Sequence, residues 1–152
     1  MAASNVILYR ANLDDLRLQD LPGATVKLHL LTSAYTPDAT TTGNSVLADI
    51  VANEISGGGY SGGITLTGVA VAAVTNGWNL TSNNVTVAAS GGTLPAWRYG
   101  VLAVSGALWG KTSPILGYFL GDNTPADIAA INDGSSYPVN APAGGWFQTT
   151  HA

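Results

Sequence analysis

The side chains that could move protons are few and scattered. His29 and His151 are the only imidazoles, and the carboxylates a general acid–base pair would draw on are Asp14, Asp15, Asp38, Asp49 and Glu54. Two cooperating carboxylates must share a cleft, whereas Asp14 and Asp15 are adjacent and read as a solvated face. His151 stands one residue from the end of the chain, a poor place to hold a ring in position. Phosphate chemistry has one conceivable cradle, the run Gly57-Gly58-Gly59-Tyr60-Ser61-Gly62-Gly63. It lacks the lysine and the following Ser or Thr of a P-loop, so it is read as a flexible turn. Asp122-Asn123-Thr124 and Asn132-Asp133-Gly134 offer too few closely spaced oxygens for a calcium loop and suit turns or caps. The expectation is no catalytic residue, no metal ligand and no cofactor, and hence not an enzyme. The aromatic residues Trp78, Trp97, Trp109, Trp146, Tyr60, Tyr99 and Tyr118 either fill a core or form a sugar-stacking surface. Core filling is the expectation for most of them. Trp109 lies in a loop-like segment, 106–111, where an aromatic can anchor another chain.

The elements around these residues read as strands. Thr25 to Leu31 alternates Val26, Leu28 and Leu30 with Thr25, Lys27 and His29, the period of a half-buried strand that turns His29 outward. Ile64 to Val74 alternates again and ends at Asn76-Gly77, a dipeptide suited to a two-residue hairpin turn. Trp78 to Leu80 and Val85 to Ala88 follow as strands. The apolar runs Trp97 to Val104 and Ile115 to Leu120 suit strands covered on both faces, and Trp146 to Thr149 suits a closing strand. Two short helices are expected. One follows Ser45 as cap, with Val46, Leu47, Ile50, Val51 and Ile55 at helical spacing. The other runs from about Pro125 to Asn132, with Thr124 as cap and Asp127 at its third position. Tyr137 to Gly145, carrying Pro138 and Pro142, reads as an exposed loop. The sum is all-β: a β-sandwich or jelly-roll-like domain over residues 24–152, preceded by an N-terminal arm over 1–23. Leu13 and Leu16 in that arm need a surface, on their own domain or across a subunit interface. With Trp109 they are the candidate interface residues.

Composition narrows the partners. Of 152 residues, 46% are hydrophobic and only 9% charged, against about 25% in ordinary soluble domains. A surface with few charges suits packing against neighbours, because little charge must be desolvated there. Arg10, Arg17, Lys27, Arg98 and Lys111 are scattered and the net charge is −4, which gives no basic patch for direct nucleic-acid binding. There is no Cys, so disulfide and thiolate chemistry are excluded. No uncharged apolar run approaches the roughly 18 residues of a spanning helix, and the first residues lack a signal-peptide pattern. The expectation is a soluble protein made in the cytoplasm, away from membranes. Asn79-Leu80-Thr81 and Asn84-Val85-Thr86 fit the glycosylation pattern but read as ordinary strand and turn residues.

The stretch from about Tyr35 to Gly121 resembles a family of small structural proteins of tailed bacteriophages. The resemblance rests on Tyr35-Thr36-Pro37-Asp38, on Asp49-Ile50 followed by Glu54-Ile55-Ser56-Gly57 and Gly59-Tyr60, on the strand Trp97 to Val104, and on Ser113-Pro114-Ile115-Leu116-Gly117-Tyr118. It implies a bacteriophage virion component: a capsid decoration or cement protein that binds the major capsid protein on the outside of the shell, self-associating as a homo-oligomer such as a trimer. The alternative is a tail or head-fibre component that contacts host glycan through its aromatic loops.

Overall fold

The computed structural model describes residues 6–122, 124 and 126–150. It is an all-β, sandwich-like domain. Five antiparallel strands form the main sheet in the order β1 (Ile7–Leu8), β10 (Ile115–Leu120), β7 (Tyr99–Ser105), β2 (Thr25–Leu31) and β3 (Ile64–Thr65). A three-stranded sheet has the order β12 (Phe147–Thr150), β5 (Gly77–Thr81) and β4 (Ala70–Val74). A two-stranded sheet pairs β11 (Ser136–Val139) with β6 (Val85–Ala88), and β8 (Ala107–Leu108) pairs with β9 (Lys111–Thr112) in a small hairpin.

The period-two pattern of the central strands divides two cores. Val26, Leu28, Leu30, Leu102 and Val104 face the larger one, which the smaller sheets close with Leu80, Val85, Val87, Val139 and Phe147. Trp97, Phe119 and Trp146 also fill it. Leu31, Val101, Ala103 and Ile115 point to the opposite face, where Tyr9, Tyr35 and Ile50 cover them. Covering both faces is what lets β7 and β10 be near-continuous apolar runs.

Neither expected helix forms among the described residues. After Ser45 the chain makes two consecutive 3-10 turns, Leu47–Asp49 and Val51–Asn53. Its backbone is claimed from both sides: Asp49 Oδ2 accepts from the amides of Ser45 and Val46, Leu47 N donates to Ser113 O, and Ile55 N donates to Leu30 O. The second helix is replaced by backbone pairing with the segment before β7. Ile128 exchanges hydrogen bonds with Trp97, and Ile131 with Leu94. Thr124 does not cap anything; its amide and hydroxyl both donate to Asp122 Oδ1. Asn123 and Pro125 lie outside the described residues.

Three further readings change. The segment 137–145 is not simply a loop, because Tyr137, Pro138 and Val139 continue β11 and Val139 is fully buried. The hairpin turn slips by one residue: Thr75 and Asn76 form it, with Asn76 at φ 61°, and Gly77 opens β5 opposite Val74. Gly77 is needed there for space, since a β-carbon would lie 1.8 Å from Thr149 O on β12. The segment 106–111 is a tight hairpin, with Trp109 (φ 52°) and Gly110 (φ 72°) both left-handed at its tip, a conformation a two-residue turn demands.

Residues 6–23 pack on this domain. β1 extends the main sheet, and Leu18 and Leu21 enter the larger core. Buried Asn12 anchors the segment through Nδ2, which donates to Ser45 O (2.6 Å) and Ile115 O (2.7 Å), while its Oδ1 accepts from Lys111 Nζ (2.7 Å).

Candidate functional site

Two places gather side chains capable of recognition or chemistry. The first is on β2. His29 faces away from the larger core, as alternation requires, but it is not solvent-facing: it is 2% exposed. The glycine-rich turn and the segment after the second 3-10 turn fold over that face. His29 Nδ1 lies 2.7 Å from Glu54 Oε1, and Tyr60 donates to the same oxygen at 2.6 Å. The Tyr60 hydroxyl in turn accepts from the amide of Leu30 at 2.9 Å. Gly63 packs on the imidazole so closely that a β-carbon would fall 2.7 Å from Cε1. With φ at 81° there, glycine is favoured on both counts.

Burial pushes the Glu54 carboxyl up, but the hydrogen bonds from His29 and Tyr60 and the neighbouring positive charge outweigh it and hold it below the usual glutamate range. Burial and the adjacent carboxylate drive the Tyr60 phenol far above its ordinary value. Gly59-Tyr60-Ser61-Gly62-Gly63 has the G-x-S-x-G spacing of a nucleophile elbow. Its context differs, since the turn leads into β3 rather than from a strand into a helix, and Ser61 is exposed with no hydrogen bond to His29. Chemically, the trio is a buried polar tie that fixes the glycine-rich turn to β2.

On the same face of the main sheet, Tyr35 donates to Asn44 Oδ1 at 3.0 Å, which leaves Tyr9 to donate to the Tyr35 hydroxyl at 2.5 Å. Burial pushes the Tyr35 phenol up to about 12.

The second place is a groove of about 750 Å³ between the N-terminal segment and the three-stranded sheet. Leu16, Arg17 and Pro22 stand on one wall, and Val69, Val71 and Trp78 on the other. Trp78 sits opposite Ala73 on β4 and Thr149 on β12 and is 53% exposed. It is therefore a surface aromatic rather than a core one, although Leu80, two residues on and on the same face, is fully buried.

Of the candidate interface residues, Leu16 lines this groove, and Leu13 is 43% exposed outside its lining. Trp109 is half-buried against the larger core and its Nε1 donates to Asp20 Oδ2 at 2.8 Å, which secures the 106–113 hairpin to the segment bearing Leu16 and Leu18. Leu16 and Trp78 are thus brought to one site. Trp78 was missed as a surface residue because nothing local shows where the cover over β5 stops.

No family model, curated protein or solved structure matches this chain. Its function is therefore argued from its surfaces. Among the described residues no group of three His, Asp or Glu side chains could hold a metal ion, and no helix is long and apolar enough to cross a membrane. The feature that sets this surface apart is charge. Residues 55–97 contain no Asp, Glu, Lys or Arg, and they supply the whole of β3, β4, β5 and β6 together with one wall of the groove.

Proposed function

We propose that this chain is a structural component of a bacteriophage particle, a decoration or cement protein that binds the major capsid protein on the outside of the shell. The observation that supports this reading best is the uncharged stretch 55–97, which supplies one wall of the groove and the exposed Trp78. Interface centres are depleted in charge and enriched in aromatic residues, and a contiguous exposed apolar patch marks a place of contact. The phage-protein resemblance of residues 35–121 names the kind of assembly. Its motif residues hold the scaffold: Tyr35 and Ile50 cover the face of the main sheet that Ile115 presents, and Glu54 and Tyr60 tie down the turn.

The tail or head-fibre reading rests on the same groove, where Trp78, flanked by Arg17, Gln19 and Thr149, offers a ring to stack on a sugar. Copy number separates the two. Quantitative mass spectrometry of purified particles should find this chain in the hundreds per particle, in fixed ratio to the major capsid protein. A few copies per particle would move it to a fibre or tail tip, and absence from particles would refute the virion reading. Turnover of an activated ester that disappears in Ser61→Ala would refute the structural reading from the other side.

A further inference from the structure

Among the described residues, the outer strand of the three-stranded sheet has a free edge. β4 is last in the order β12-β5-β4, and its residues Ala70, Ala72 and Ala73 are exposed. Free edges are templates for pairing, and proteins that stay monomeric blunt them with lysine, proline, a bulge or inward charge. Ala70-Val71-Ala72-Ala73-Val74 has none of these, and its register with β5 is unbroken.

The hydrogen-bond parity of this strand determines how it can be extended. The two-residue turn makes Val74 and Gly77 a hydrogen-bonded pair, so by alternation Ala72–Asn79 and Ala70–Thr81 are hydrogen-bonded pairs as well. Val71 and Ala73 therefore direct their amides and carbonyls away from β5, to the open edge. We propose that β4 pairs antiparallel with β4 of a second copy of this chain about a two-fold axis at Ala72, joining two three-stranded sheets into one of six.

In that register Val71 of each copy faces Ala73 of the other. These are the residues with outward donors and acceptors, so both pairs can form closed double hydrogen bonds. Ala72 meets its own copy in the non-hydrogen-bonded position, where α-carbons approach to about 4.5 Å. A strand that meets itself doubles any charge it carries, and the absence of charge here removes that penalty.

The contact is isologous and closes at two copies, so it yields a dimer and not the expected trimer. A strand pair alone falls short of the roughly 1,200 Å² of a stable interface. The groove beside β4, with Val69, Val71 and Trp78 on its wall, supplies apolar surface next to the axis. This inference rests on the sheet edge and the groove beside it, and stands whether or not the chain belongs to a particle.

The test is light scattering and sedimentation of the purified chain over a concentration series, with charge variants at the axis. The wild type should approach twice the 15.4 kDa chain mass. Ala72→Lys and Ala72→Glu, each checked as folded by circular dichroism, should run at the single-chain mass, and an equimolar mixture of the two should regain the doubled mass. Ala73→Pro removes an edge amide that β5 does not use and should also leave single chains. A wild type that stays at 15.4 kDa throughout would overturn the proposal. So would a dimer or trimer that survives both Ala72→Lys and Ala73→Pro, or a charge-variant mixture that fails to re-associate.

Discussion

Glu54→Ala will unfold at a temperature lower than the wild type by roughly 5–10 °C, since each kcal/mol shifts the midpoint of a domain this size by about 2–4 °C. The carboxylate accepts from both His29 and Tyr60 through one oxygen, and Ala would strand both. Leaving a buried polar group without a partner costs about 1–3 kcal/mol. The Leu30 amide keeps its bond to the Tyr60 hydroxyl, so β2 itself should survive while the glycine-rich turn loosens. Differential scanning calorimetry reads the loss.

The effect carries a pH signature. The Glu54 carboxyl is held below its ordinary 4.5 in the folded protein. Its contribution is therefore fully present above about pH 4.5 and disappears as the pH falls through the lower folded value. Glu54→Gln keeps an acceptor and cannot titrate. The gap in melting temperature between wild type and Glu54→Gln should close as the pH falls below 4.5. A gap that persists at pH 3 would show that the ionised carboxylate does not hold this tie.

Trp97→Ala will cost more, about 3–5 kcal/mol, the usual range for a large aromatic removed from a core. Trp97 is fully buried, meets Phe119 edge-on at 6.5 Å between ring centres, and donates from Nε1 to the Tyr137 hydroxyl. Its backbone also exchanges both hydrogen bonds with Ile128. The truncation removes a ring from the larger core and leaves the Tyr137 hydroxyl, on β11, without its donor. With total stabilities of about 5–15 kcal/mol in domains generally, the variant should show a denaturation midpoint on the order of 10 °C lower. Trp97→Phe, which keeps the edge-on contact and loses the N–H, should recover more than half of the difference. Equal losses in the two variants would mean that the hydrogen bond, and not the ring, carries the effect.

The strands β2, β5, β6, β7 and β10 were legible from a period of two or an unbroken apolar run, whereas β11 and the β8–β9 hairpin were read as loops. Val26, Leu28 and Leu30 against Lys27 already show how β2 sits, and the unbroken runs of β7 and β10 already show that both their faces are covered. Helical spacing at 46–55 and 125–132 misled, because an apolar residue every three or four positions also suits an irregular segment lying across a sheet. What decides between them is who claims the backbone amides. Ser113 O, Leu30 O, Trp97 O and Leu94 O do so here, and all are distant in sequence.

His29 was read as outward for the same reason. Its face was right, but its cover comes from Glu54 and Gly63, 25 and 34 residues further on. The groove was legible only in part. Leu16 lies in the groove, while Trp109 turns its N–H to Asp20 of its own chain, and the exposed aromatic of the groove is Trp78.

These parts make a consistent physical account. Two apolar cores and buried polar ties hold the main sheet, and the smaller three-stranded sheet presents an uncharged edge and the uncharged wall of a groove whose other wall carries Arg17. A chain built this way gains little from charge steering and much from close packing on a fixed neighbour. The most direct test of that role is a cryo-electron microscopy difference map between particles that carry this chain and particles stripped of it or made without it. The account predicts difference density on the outer face of the shell at junctions between major capsid subunits, with the groove and the β4 side turned towards a contact. Density confined to the tail, or identical maps from particles with and without the chain, would contradict it.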